Sequence, residues 1–74
     1  MSRWEYCEAV WRPDLVELTI PTSDAPAEPA TYPAGQWLQV LAQLGDAGWE
    51  LVSCTPSAAG AHEYYFYFKR PVEA

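Results

Sequence analysis

At 74 residues the chain has room for one small domain, and a chain of that size buries only about 60% of its extended-chain surface. Ten acidic residues against four basic ones give a net charge of −6, the opposite of what nucleic-acid and anionic-membrane surfaces demand. No stretch approaches the ~20 apolar residues of a membrane span, so neither nucleic-acid binding nor membrane insertion is expected.

Trp4 to Trp11, rich in aromatic and β-branched residues, reads as a first strand. Arg12-Pro13-Asp14 places proline at a favourable turn position. Leu15 to Ile20 then reads as a second strand, hairpinned onto the first. Pro21 to Pro33 holds four of the chain's seven prolines, a density that blocks helix and sheet hydrogen bonding, so 21–33 is expected to be a proline-rich surface loop. Pro33 suits the first turn of a helix, where a missing N–H costs nothing. Trp37, Leu38, Leu41 and Leu44 recur at helical spacing as its buried stripe, with Val40 at the border. Gly48 is the expected left-handed terminator and Gly45 the alternative; with Gly48, Trp49 folds back onto Leu44. Trp49 to Cys54 forms the third strand and Glu63 to Arg70 the last, joined by the small-residue turn from Pro56 to Ala61.

The expected fold is therefore α+β in a single domain over 1–74. A small antiparallel sheet of three to four strands, in the order β-β-α-β-β, carries one helix packed on one face. Eleven aromatics, four Trp, five Tyr and two Phe, supply its apolar area, each removing roughly 150–250 Å² from water when buried.

Three segments carry a resemblance: Trp4-Glu5-Tyr6, Leu44-Gly45-Asp46-Ala47-Gly48-Trp49-Glu50-Leu51-Val52-Ser53, and Tyr65-Phe66-Tyr67-Phe68-Lys69-Arg70-Pro71. In this order they resemble the short bacterial proteins grouped as domain of unknown function 4177. The matching segments cover about half the chain, and the Gly-Trp-Glu-Leu-Val turn is their most specific part. The resemblance implies a compact α+β fold and brings no activity and no catalytic residues. Glu8, where an apolar residue would be expected, and the enlargement over 12–33 depart from the pattern.

Little in the sequence points to chemistry. The opening Met1-Ser2-Arg3-Trp4-Glu5 lacks a signal peptide's apolar run, and Cys7 and Cys54 fit no disulfide framework, so a cytoplasmic location is expected. A catalytic nucleophile needs a base and a group to orient it, yet His62 is the only histidine and lies beside the turn Ala58-Ala59-Gly60-Ala61. Cys7, Cys54 and His62 lack the close spacing of structural zinc ligands, and buried cysteine more often serves as a small hydrophobe. Glu5, Glu17, Glu50 and Glu63 should face water from their strands. Glu8 differs, because alternation places it with Trp4, Tyr6 and Val10. A bulge or a strand-end position is favoured to expose it; otherwise it is a half-buried carboxylate needing a partner such as Arg70. No phosphate-binding glycine loop is present. No cofactor, metal ligand or catalytic residue is assigned.

The last strand is the more informative. Alternation puts Tyr64, Phe66 and Phe68 on one face, toward the helix, and Tyr65 and Tyr67 on the other, with Lys69 at its end. One helix covers only one side of a sheet, so apolar residues on both faces suggest that the second meets another surface. Tyrosine suits such a surface, combining apolar area with a hydroxyl that tolerates water. Tyr65 and Tyr67, helped by Trp11, are the expected contact residues. The partner is another protein or a second copy of the chain, with a homo-oligomer expected. A non-enzymatic interaction module or accessory subunit is the leading reading. The alternative is a small-molecule binder or weak enzyme whose pocket, with Glu8, Cys54 or His62, forms between protomers.

Overall fold

The computed structural model describes residues 3–21, 29–58 and 62–72. Strands β1 (Trp4–Trp11), β2 (Leu15–Thr19) and β3 (Ala30–Pro33) come first. A 3-10 turn (Ala34–Gln36) leads into helix α1 (Trp37–Asp46), and strands β4 (Glu50–Pro56) and β5 (Tyr64–Pro71) follow. All five strands form one antiparallel sheet in the spatial order β3-β2-β1-β5-β4. Among the described residues the chain is thus α+β with one antiparallel sheet and one helix, and the sheet has five strands rather than three to four.

The additional strand comes from the end of the segment expected as a loop. Pro29 and Pro33 bracket Ala30-Thr31-Tyr32, whose backbone N–H groups remain free to pair, and β3 sits at the sheet's edge, where proline is tolerated. Tyr32 lands opposite Val16, and its ring packs against the core. Pro33 therefore ends a strand and precedes the 3-10 turn instead of opening the helix itself. The rest of the expected loop, 22–28, lies outside the described residues, as do 59–61 of the later turn.

Register fixes the two faces. Glu5, Cys7, Ala9 and Trp11 on β1 stand opposite Arg70, Phe68, Phe66 and Tyr64 on β5. With Val16 and Leu18 on β2 they form the side against which α1 packs. Cys7, Ala9, Val16, Leu18, Val40, Leu44, Trp49 and Phe68 make one buried cluster, with Trp37, Leu41 and Phe66 against it. The Trp37 and Phe66 rings lie 4.8 Å apart, close enough for a favourable aromatic pair. Phe66 and Phe68 thus meet the helix as expected.

Within α1 the buried stripe runs through Trp37, Val40, Leu41 and Leu44, the i, i+3, i+4, i+7 pattern. Leu38, expected in that stripe, is 78% exposed, while Val40, expected at its border, is 3% exposed. The helix is rotated so that the sheet meets the Val40 side.

The helix ends as its local sequence dictates. Gly48 takes φ +89°, a conformation costly for any residue with a Cβ. The Trp49 N–H donates to the Leu44 carbonyl at 2.9 Å and the Gly48 N–H to the Gly45 carbonyl at 3.0 Å, the paired bonds of a Schellman cap. Arg70 reinforces this end: its guanidinium donates to the Ala47 carbonyl at 2.9 Å, pairs with Glu5, and lies 4.3 Å from the Trp49 ring centre. A cation at a helix C-terminus also meets the negative end of the helix dipole. Beyond the cap, β4 runs along the other edge of the sheet, and a bulge between Leu51 and Ser53 interrupts its pairing with β5.

Candidate protein-interaction face

The side of the sheet away from α1 is built mainly by the two central strands. Trp4, Tyr6, Glu8 and Val10 on β1 stand opposite Pro71, Lys69, Tyr67 and Tyr65 on β5, and Glu8 and Val10 stand opposite Thr19 and Glu17 on β2. Tyr65 and Tyr67 therefore share this face, Tyr65 half-buried and Tyr67 exposed. Trp11 does not join them. It stands on the helix side, its ring 5.8 Å from that of Tyr64, because it is an odd number of residues from the open-face positions of β1.

Ion pairs brace one end of this face. Arg12 reaches Glu17 and Glu63, each at 2.5 Å, and the two carboxylates hold its guanidinium more firmly protonated. Val10, between Glu17 and Tyr65 in the register, is buried although it lies on the open side. At the other end the Lys69 ammonium sits 4.2 Å from the centre of the Trp4 ring, a cation–π contact.

Between these ends lies a shallow pocket of about 260 Å³, lined by Tyr6, Cys7, Glu8, Thr19, Pro21 and Tyr67. Glu8, half-buried, is the one charged residue of that lining. Neither a bulge nor a strand end exposes it, since β1 pairs with β5 in unbroken register from Trp4 to Trp11. Nor does it pair with Arg70, which is taken by Glu5 on the opposite side of the sheet. Its partner is the Tyr67 hydroxyl, whose pKa the Glu8 carboxylate raises through a hydrogen bond and through its charge. Trp4 and Tyr6 were not singled out from the sequence as contact residues, although alternation along β1 already placed both with Glu8.

The helix side carries an open aromatic groove of about 350 Å³ between Trp11, Trp37, Cys54, Tyr64 and Phe66. Cys54 is exposed there on edge strand β4, whereas Cys7 is buried in β1, with β5 between the two strands. Burial pushes the Cys7 thiol up to about 11. His62 is exposed ahead of β5. Among the described residues no group of three His, Cys, Asp or Glu side chains is placed to hold a metal ion, and no helix is long and apolar enough to cross a membrane. Glu8, Cys54 and His62 do not converge within one chain. No family model, curated protein or solved structure matches the chain.

Proposed function

We propose that the chain is a non-enzymatic interaction module, or accessory subunit, that docks on another protein through the open face of its sheet. One observation carries this reading: Trp4, Tyr6 and Tyr67 are 42%, 56% and 40% exposed on the two adjoining strands β1 and β5, with Tyr65 beside them. Aromatic side chains are enriched at the cores of protein interfaces, where they supply large area at little entropic cost. Kinship with domain of unknown function 4177 and a cytoplasmic setting belong to the same proposal.

Charge favours a basic partner over a second copy. The chain has four basic residues, of which Arg12 is held by Glu17 and Glu63, Arg70 by Glu5, and Lys69 lies on Trp4. That leaves Arg3 to answer the carboxylates of an identical face, and like-signed surfaces suppress association.

The test replaces Tyr65 and Tyr67 together by Ala and checks the fold by circular dichroism. Parent and variant are compared by light scattering over a concentration range and by co-purification from native extract. A basic protein retained by the parent and lost by the variant supports the reading, and a dimer lost by the variant assigns the face to a second copy. Equal association by both proteins overturns it.

A further inference from the structure

We infer that the pocket around Glu8 is a subsite for a basic side chain, a lysine ammonium or an arginine guanidinium, presented by the protein that docks on the open face. The inference rests on the interaction reading of that face and names the chemistry the partner must bring.

The first argument is the state of Glu8. Glu5, Glu17 and Glu63 each have an arginine. Glu8, half-buried in mid-strand, has no arginine or lysine paired with it among the described residues, and its partner there is a tyrosine hydroxyl. A carboxylate partly withdrawn from water gains most from a cation that replaces the lost hydration. Its direct neighbours by register, Thr19 and Tyr67, are uncharged, and Lys69, the cation nearest in register on β5, lies over the Trp4 ring.

The second argument is the company Glu8 keeps. Tyr6 and Tyr67 flank it in one concavity, and the faces of their rings are electron-rich. Rings together with a carboxylate form the kind of setting that receives ammonium groups. The walls also include Pro21 and the methyl-bearing Thr19, suited to the aliphatic stem of a long basic side chain whose head reaches the charge. A volume of about 260 Å³ admits one such side chain.

The third argument is internal precedent. The same face already seats a cation on a ring where Lys69 lies over Trp4 at 4.2 Å. A net charge of −6 would in addition steer a basic partner toward the chain. The groove at Trp11, Trp37 and Phe66 is aromatic as well, but its lining contains no charged residue.

The experiment is a two-dimensional NMR titration of the intact chain with N-acetyl-lysine amide, N-acetyl-arginine amide and the neutral N-acetyl-norleucine amide. Saturable shifts at Tyr6, Glu8, Thr19 and Tyr67 with a cationic probe, absent with norleucine, are expected. The stronger of the two cations identifies the partner's residue type. Glu8→Gln, near-isosteric and checked for native peak dispersion, should weaken binding about five- to tenfold, corresponding to roughly 1.0–1.4 kcal/mol. Asp46→Asn, which removes an equal charge from the end of α1, should leave it within about twofold. Equal shifts with norleucine, unchanged binding in Glu8→Gln, or an equal loss in Asp46→Asn would each overturn the inference. If the cationic probes are silent while Tyr65→Ala/Tyr67→Ala still abolishes association, the subsite fails and the docking face stands. If the probes bind at Glu8 and association ignores the double substitution, the docking face fails instead.

Discussion

Glu8 and Tyr67 face each other across the β1–β5 ladder, and the Glu8 carboxylate accepts the Tyr67 hydroxyl's hydrogen bond. Because this holds the phenol in its neutral form, the folded chain keeps the Tyr67 proton to higher pH than the unfolded chain does. The associated stability is fully present below the ordinary tyrosine value and is lost as pH rises through the raised folded one. Glu8→Gln is expected to bring Tyr67 back toward that ordinary value, as followed by its ring signals in an NMR pH titration. An unmoved titration would show that the carboxylate does not govern this tyrosine.

The two cysteines should behave as different reagents. Cys54 is exposed and Cys7 is buried, its thiol pushed up to about 11 by desolvation. At neutral pH a disulfide reagent is expected to modify Cys54 quickly and Cys7 only when the chain unfolds. Mass spectrometry of the partly labelled protein locates the modified residue. The sign for stability follows that of Tyr67: the Cys7 contribution is intact below 9.0 and falls as pH climbs toward 11.

Leu38 and Val40 provide a direct test of how the helix is turned. Leu38→Ala should change stability by less than about 0.5 kcal/mol, as is usual for an exposed position. Val40→Ala should cost about 2 kcal/mol, from two lost methyl groups and the cavity they leave. Urea unfolding of the two variants measures both. The reverse order would mean that α1 presents its Leu38 side to the sheet.

Gly48→Ala should cost about 1–2 kcal/mol. An added Cβ meets nothing within 4 Å and the backbone sits at φ +89°, so the cost is conformational and not steric crowding. Thermal unfolding of this variant beside Gly45→Ala separates the two glycines, since only Gly48 has positive φ.

Arg70 joins Glu5, the Ala47 carbonyl and the Trp49 ring through one planar group. Arg70→Lys is accordingly expected to lose most of what Arg70→Met loses, about 1–2 kcal/mol, because an ammonium cannot stack and fork in the same way. Chemical denaturation at low and high salt checks this. Full rescue by lysine would reduce the role of Arg70 to that of a point charge.

The sequence was most legible where structure is local. Gly48 and Trp49 announce the helix cap because the left-handed residue and the contact after it are adjacent in the chain. Strand alternation likewise sorted Phe66 and Phe68 from Tyr65 and Tyr67 correctly. Leu38 and Val40 were exchanged because two apolar residues flank the Trp37–Leu41–Leu44 line, and only the approach of the sheet selects one. β3 was hidden because prolines at 29 and 33 read as breakers when their edge position is unknown. The partners of Glu8 and Arg70 depend on register between chain-distant strands, which no local pattern carries. Trp11 was grouped with the tyrosines because its parity relative to β5 becomes fixed only by that same register.

Both margins of the sheet have blunt profiles: β3 is four residues long and ends in Pro33, and β4 combines the Leu51–Ser53 bulge with a terminal Pro56. Proline withholds a ladder donor and a bulge bends the rim away from a flat template. Open-ended stacking of copies, rim to rim into fibrils, is thereby discouraged. A chain so rich in aromatics can thus hold Trp4, Tyr6 and Tyr67 out in water without offering its rims as templates for further strands.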